Sequence, residues 1–321
     1  MEKKFDQTFQ LAAKSEGVHE DEKYLCSRER WEYHSRTLEL APAPLHVDIE
    51  LTNACNLRCI MCERQNMKRK VGLMSFELFS QITGQCVEYD IDSIKLNLWG
   101  ESTMHPELGR MIAHAKSQGI LNTQFNTNGV LVDEKAAREI FESGLDRLTF
   151  SVDGASRETY EKIRDKSDYG RVMRNLEGLF ELKQKHGYQK PYITLQIIRM
   201  KDTDEEIEGF INRWRGVADY ITVTNIGTTS GMEDNLELSA RDMKALKKVP
   251  CPQLWQRLSV YWNGDVTVCC SDFDGYLKIG RVPEDSLLSL WHSRELNNLR
   301  ARHKNLDFTS LICQPCTGNL A

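Results

Sequence analysis

With 321 residues, 40% hydrophobic and 28% charged, the chain has the make-up of a globular protein large enough for one big domain with an appendage, or for two modest ones. Its net charge of −5, with acids and bases interspersed, excludes the basic field that draws nucleic acid or anionic membrane and leaves small or weakly charged partners. No apolar run of roughly 18 residues occurs, and Met1-Glu2-Lys3-Lys4-Phe5-Asp6 lacks the apolar stretch of a signal peptide, so a cytoplasmic protein without a membrane partner is expected.

Residues 1–45 are polar and helical in pattern, with Tyr24, Leu25, Arg28, Trp31, Ser35 and Leu38 about on one face before Ala41-Pro42-Ala43-Pro44 stops the helix. This segment reads as an extension covering the main body. From His46 to about residue 235, strand and helix patterns alternate with short turns, which argues for parallel strands joined by crossover helices. Strands are predicted at 46–51, 94–99, 120–126, 146–152, 191–199 and 219–226. Helices are predicted at 75–88, 106–118, 133–143, 156–163 with 171–186, and 204–214, with Ser75 and Asp133 as caps and Pro106 at a first helical position. The expected fold is therefore α/β, a partial (β/α)6 barrel, with its site at the carboxyl ends of the strands.

The ten cysteines fit metal binding better than disulfides in a reducing compartment. After the first strand comes Cys55-Asn56-Leu57-Arg58-Cys59-Ile60-Met61-Cys62, a C-x3-C-x2-C spacing. Three thiolates so spaced can hold three corners of an iron–sulfur cube and leave one iron without a protein ligand. A zinc site would want a fourth Cys or His nearby, where Glu63, Arg64, Gln65 and Asn66 follow instead. The next strand ends carry Gly100-Glu101, Asn126 with Asn128, and Ser151 with Asp153; Arg164 and Arg199 lie where a carboxylate could be met. Each of these also reads as an ordinary turn residue or surface arginine.

Taken together, the cysteine motif and the polar strand ends resemble the radical S-adenosylmethionine (radical SAM) enzymes. The resemblance implies a 4Fe-4S cluster on Cys55, Cys59 and Cys62 whose open iron chelates SAM, with electron transfer splitting SAM into methionine and a 5′-deoxyadenosyl radical. It also implies SAM contacts from Gly100, Glu101, Asn126, Asn128, Ser151, Asp153, Arg164 and Arg199. Two departures stand out: Met61 precedes the third cysteine where an aromatic residue is frequent, and Trp99 replaces the first glycine of a Gly-Gly-Glu-like segment.

Residues 236–321 change character. Cys251 precedes a hairpin signal, Asn263-Gly264 between two β-branched and aromatic runs, and Cys269-Cys270 lies near its far end. A helix at 286–303 then leads to Cys313-Gln314-Pro315-Cys316. Four thiolates, Cys251, Cys269, Cys313 and Cys316, can ligate one centre completely, either structural zinc or a second 4Fe-4S cluster. The segment resembles the SPASM and twitch auxiliary-cluster domains of radical SAM proteins, which favours the cluster and an electron-carrying role. On a strand, Cys270 would face away from Cys269 and be either a buried small residue or a hydrogen-atom donor. Cys86 reads as core, and Cys26 as incidental.

The leading reading is an oxidoreductase for a sugar, cyclitol or related polyol, by similarity to the twitch-type amino-cyclitol dehydrogenase of aminoglycoside biosynthesis, supplied by a reductant such as flavodoxin or ferredoxin. Alternatives are a radical epimerase using Cys270, a maturase acting on a short peptide, and a non-enzymatic metal scaffold or electron carrier. Lys95, Asn97, Gln124, Gln196 and Arg199 are the candidate proton acceptors, their facing undetermined.

Overall fold

A computed structural model describes residues 9–13, 20–227, 235–240, 248–309 and 311–316. In chain order the described elements are β1 (Phe9–Ala12), α1 (Glu22–Thr37), β2 (His46–Ile49), α2 (Phe76–Glu88), β3 (Ser93–Lys95), α3 (Leu108–Ser117) and β4 (Asn122–Thr127). There follow α4 (Glu134–Glu142), β5 (Arg147–Ser151), α5 (Arg157–Ile163), α6 (Tyr169–His186), β6 (Tyr192–Arg199), α7 (Ile207–Trp214) and β7 (Tyr220–Asn225). The remainder comprises α8 (Asn235–Leu238), β8 (Arg257–Val260), β9 (Asp265–Thr267), β10 (Lys278–Arg281), α9 (Leu287–Trp291) and α10 (Arg294–Lys304).

All ten strands join one sheet, ordered β1-β7-β6-β5-β4-β3-β2-β8-β9-β10, which does not close. Strands β2 to β7 are mutually parallel, as the alternation of strand and helix requires. Their alternation in burial sorts two faces. Val47, Ile49, Ile94, Leu148, Phe150, Leu195 and Ile197 pack outward onto helices that contribute Phe79, Ile82, Met111, Ile140, Leu176 and Leu179. The intervening residues, among them Asp48, Lys95, Gln124, Thr149 and Gln196, face a polar lumen, the two-residue period of a strand deciding each one. Ser75 and Asp133 cap α2 and α4 as predicted, whereas α3 begins at Leu108 after Glu107, leaving Pro106 in the preceding turn.

Three arrangements differ from the sequence expectation. Residues 9–12 of the extension form a strand, antiparallel to β7, rather than helix. The α1 face is rotated so that Leu25 is exposed, while Tyr24, Ser27, Arg28 and Trp31 cover the amino-terminal mouth of the lumen. Strand β3 stops at Lys95 because the next rung is made by a side chain: Asn97 Oδ1 accepts the Asn126 N–H at 2.8 Å.

The C-terminal segment is built into the sheet. Strand β8 runs parallel to β2, from His46↔Arg257 to Ile49↔Val260, and β9 and β10 extend it antiparallel. Trp291 is fully buried and donates its indole N–H to the Ala41 carbonyl at 2.8 Å, tying α9 to the stretch before β2; losing that side chain would cost about 3–5 kcal/mol. Arg69 makes a second tie, a bidentate pair with buried Glu50 at 2.8 Å while stacking 3.8 Å from the Tyr261 ring centroid. Among the described residues no helix is long and apolar enough to cross a membrane.

Candidate active site

The loop bearing Cys55, Cys59 and Cys62 leaves β2 at the carboxyl end of the sheet and is held by backbone bonds. Arg58 N–H donates to Asp165 O and Ile60 N–H to Ile163 O, both at 3.0 Å, which fixes the loop to the end of α5. Opposite, the Glu101 N–H donates to Ala54 O at 2.8 Å. Gly100 makes that approach possible: its φ is +91°, and a Cβ there would lie 2.5 Å from Thr52 O and 2.7 Å from Ala54 O.

The side chains predicted to bind SAM divide into two groups. Glu101 is buried and spends both oxygens inside the protein, accepting from Thr103 Oγ1 at 2.7 Å, Thr127 Oγ1 at 2.8 Å and Asn128 N at 2.8 Å. Asn128 donates to Asn56 Oδ1 at 2.8 Å and lies 4.0 Å from Cys55 Sγ. Asp153 accepts from Ile198 N at 2.8 Å and Arg164 Nε at 2.9 Å, and Arg164 Nη1 reaches Cys59 Sγ at 3.8 Å. Burial opposes the Arg164 charge, but Asp153 and then Cys59 outweigh it and hold the guanidinium firmly protonated. Arg199 is buried at the end of β6 and pairs with Asp204 at 3.1 Å. By contrast, Asn126 and Ser151 face the lumen half-buried, with no side-chain hydrogen bond among the described residues, so their polar atoms are open to a ligand. Met61 packs beside Ile163, Met200 and Ile226.

The thiols of the first motif perturb one another. Burial is the main influence raising Cys55, Cys59 and Cys62, the last to about 11, with neighbouring thiols adding to the rise at Cys55 and Cys62. Such thiols stay protonated unless a metal claims them. Arg164 beside Cys59 suits a centre whose thiolates carry net negative charge. The donor set therefore fits an iron–sulfur cluster.

The second set also gathers from three segments. Cys251 opens the short turn Pro252–Trp255 and donates its N–H to His303 Nδ1 at 3.1 Å. Cys313 and Cys316 are drawn together by Lys248, whose ammonium donates to both of their carbonyls at 2.9 and 2.6 Å. Burial pushes Cys251 up to about 12 and Cys313 to about 11; Cys316, Cys270 and Cys313 add to the shift at Cys251. Cys269, driven up by burial, answers to Cys270, Cys251 and Cys316. Among the described residues no three His, Cys, Asp or Glu side chains converge as closely as a single metal ion needs.

Cys269 and Cys270 are not on a strand: β9 ends at Thr267 and a turn follows, organised by buried Asp272, which accepts from Thr267 Oγ1 and from the N–H groups of Gly275, Tyr276 and Leu277. Strand alternation therefore does not govern their facing. Cys270 instead meets the lumen, receiving Arg257 Nη2 at 3.7 Å, and Arg257 Nη1 lies 3.3 Å from Asp48 Oδ2. Asn56, Asp48 and Arg257 escaped the sequence reading. Asn56 sat within the motif as a signal, but only the register of β8 brings Arg257 to the site.

A model of the radical SAM superfamily matches residues 49–213, and one of the SPASM iron–sulfur cluster-binding domain matches residues 251–317. Among curated proteins, the tungsten-containing aldehyde ferredoxin oxidoreductase cofactor-modifying protein of Pyrococcus furiosus is 23% identical over 84% of this chain and 86% of its own length. A probable GTP 3′,8-cyclase of Methanococcus maripaludis is 30% identical, over 42% of this chain and 45% of its own. Among solved structures, BtrN in complex with AdoMet and 2-DOIA superposes with a TM-score of 0.55 at 14% identity, covering 84% of this chain and 92% of BtrN. Streptococcus suis SuiB bound to the precursor peptide SuiA superposes at 0.67 with 13% identity, covering 94% and 76%. With over half its length matched by that superfamily's model, the chain belongs to the radical SAM superfamily and is an enzyme whose cofactors are SAM, a 4Fe-4S cluster and an auxiliary cluster in a SPASM domain.

Proposed function

We propose that this enzyme oxidises a small polyol, a sugar or amino-cyclitol, with the auxiliary 4Fe-4S cluster on Cys251, Cys269, Cys313 and Cys316 as electron acceptor and a flavodoxin or ferredoxin as external reductant. One observation carries this reading: Arg257 touches Asp48 in the lumen and Cys270 beside the auxiliary thiols, so substrate space and electron acceptor are one side chain apart. When bound, the cofactors supply homolysis of SAM, removal of one substrate hydrogen atom and a sink for the electron left behind.

The chain's own residues do the rest. Asn126 and Ser151 offer free hydrogen bonds at the mouth of the lumen, and Arg164 with Asp153 secures the Cys59 side of the first cluster loop. Lys95 suits the hydroxyl proton. Burial, then Arg257, lowers its ammonium below the usual range against the pull of Asp48, and among the described residues it makes no hydrogen bond or ion pair. Oxidation then balances: a C–H hydrogen leaves as an atom, the O–H proton passes to Lys95, and one electron departs.

The test is anaerobic turnover with dithionite, SAM and a panel of carbon-deuterated cyclitols, amino-cyclitols, aldoses and their phosphates. A carbonyl product with deuterium in 5′-deoxyadenosine is expected. Iron analysis accompanies it: about eight irons per chain should fall to about four when Cys55, Cys59 and Cys62 are replaced by Ala. About four irons with one zinc, or an unoxidised product, sinks the proposal. A second reading draws on the Arg257–Cys270 contact: a thiol facing the lumen could return a hydrogen atom and invert a carbon centre, a reaction that needs no net electron acceptor.

A further inference from the structure

Between the strands and α1 lies a chamber of about 240 Å³ whose wall shares rungs of the sheet with Asn126 and Ser151. Its wall includes Gln124, Thr149, Thr194, Gln196 and Thr222, none of which has a side-chain hydrogen bond among the described residues. Five unsatisfied amides and hydroxyls in one chamber call for water or a hydroxylated guest. The volume equals about eight waters' share of liquid, which suits a monosaccharide-sized molecule better than a peptide.

Its charge is unbalanced. Arg147 is paired with Glu20 at 2.5 Å and Arg257 with Asp48 at 3.3 Å. Arg28, which lines the chamber with Arg147, rests 4.9 Å from the Trp31 ring centroid and has no ion pair among the described residues. Its environment disfavours its own charge, burial first and the neighbouring Arg147 and Arg257 after it, with only Tyr24 and the exposed Glu32 one turn along α1 opposing. Nε of Arg147 and Nε of Arg257 are buried donors without partners. Two guanidiniums on the wall, Arg28 and Arg147, against the one carboxylate of Glu20 leave one surplus positive charge on a chamber otherwise lined by neutral groups.

We propose that this chamber is the inner end of the substrate site and takes a small polyhydroxylated molecule bearing an anionic group, phosphate or carboxylate, with the anion at Arg28 and the hydroxyls on Gln124, Thr149, Thr194 and Gln196. This rests on the reading that the lumen is the substrate site. The register pairs Thr149 with Asn126 and Gln196 with Ser151, so a guest hydrogen-bonded to Thr149 and Gln196 borders the rungs that carry Asn126 and Ser151.

The experiment is calorimetric titration of the anaerobically reconstituted holoenzyme with inorganic phosphate, acetate, glucose 6-phosphate, glucuronate and glucose. Saturable binding of glucose 6-phosphate or glucuronate, tighter than that of glucose, is expected, and the inorganic phosphate and acetate arms decide which anion is preferred. Arg28→Met should weaken the favoured anion about 10- to 150-fold, the worth of a hydrogen bond to a charged group, while Arg28→Lys loses less. Without ligand, Arg28→Met should melt no earlier than the parent, since it removes an unpaired, half-buried charge, whereas a purely structural arginine would lower the melting temperature.

Absence of saturable binding by every charged probe, or parental anion binding in Arg28→Met, overturns the proposal as a water-filled chamber or an adventitious ion only. If Arg28→Met folds poorly, Gln124→Leu with Gln196→Leu decides: it should weaken glucose 6-phosphate and spare inorganic phosphate, and equal effects on both refute the arrangement. Because binding rather than turnover is read, the dehydrogenase reading can fail through its products while this result stands, and the reverse.

Discussion

Asp153→Asn tests whether the first cluster loop leans on a buried charge. Asp153 is fully buried, and its carboxylate holds the Ile198 N–H at 2.8 Å and Arg164 Nε at 2.9 Å. Asparagine keeps one oxygen for Ile198 but leaves the guanidinium, itself 8% exposed, without a counter-charge. Breaking a buried pair by removing one partner costs about 3–5 kcal/mol, or about 6–10 °C of melting temperature at the low shift per kcal/mol typical of larger chains. In the cluster-loaded protein the Cys59 thiolate, 3.8 Å from Arg164 Nη1, becomes a substitute partner. A hydrogen bond to a charged group recovers about 1.5–3 kcal/mol, so the shift should shrink to about 4 °C. Calorimetric melts of iron-free and reconstituted protein under argon measure both, and adding Arg164→Met should restore most of the iron-free loss. Equal shifts in the two states, or a shift under about 2 °C without iron, would refute the coupling.

Other perturbations address other parts of the site. Gly100→Ala combines positive-φ strain with a Cβ 2.5 Å from Thr52 O; melting should fall about 2–6 °C and the first site should lose its iron, whereas Gly84→Ala, with open space around it in α2, should stabilise slightly. Burial holds the His46 imidazole below its ordinary 6.5, so the unfolded chain binds more protons under that pH and stability present above 6.5 is lost as the pH falls. Melting at pH 7.5 and 5.5 should show this drop in the parent and a flatter profile in His46→Gln, and parallel profiles would assign it elsewhere; Asp48, held below its ordinary 3.8, adds its own loss only under about pH 4. Cys270→Ala should leave carbonyl formation intact if the enzyme is a dehydrogenase and abolish solvent-hydrogen incorporation if it is an epimerase, both read by mass spectrometry in deuterated water.

What the sequence made legible was local. The spacing of Cys55, Cys59 and Cys62 follows from ligand geometry on a single loop, and the six parallel strands follow from β-branched runs alternating with capped helices. Within those strands, the facing of Lys95, Gln124 and Gln196 needed only a register accurate to one residue, which the burial pattern of the folded strands supplies. The polar strand ends were legible, but the partners their side chains take within the fold were not. Glu101 and Asp153 carry the residue types that a ligand would want, yet both are consumed by neighbours distant in sequence, Thr127 and Asn128 for one, Ile198 and Arg164 for the other. Residue type signals hydrogen-bonding capacity; only the fold says who uses it.

The least legible feature has the largest consequence. A four-residue strand at 257–260 reads as half of a hairpin, and nothing in its sequence marks it as a parallel neighbour of β2, some 200 residues away, because that pairing is fixed by long-range packing through Glu50, Arg69, Tyr261 and Trp291. With β8 in the barrel sheet, the auxiliary thiols are positioned by the framework that positions the lumen, and Arg257 belongs to both. A mutation that loosened β8 from β2 would therefore alter the geometry of the auxiliary centre and the polarity of the lumen together. On the proposed reading, electron transfer and substrate recognition both depend on this single strand pairing.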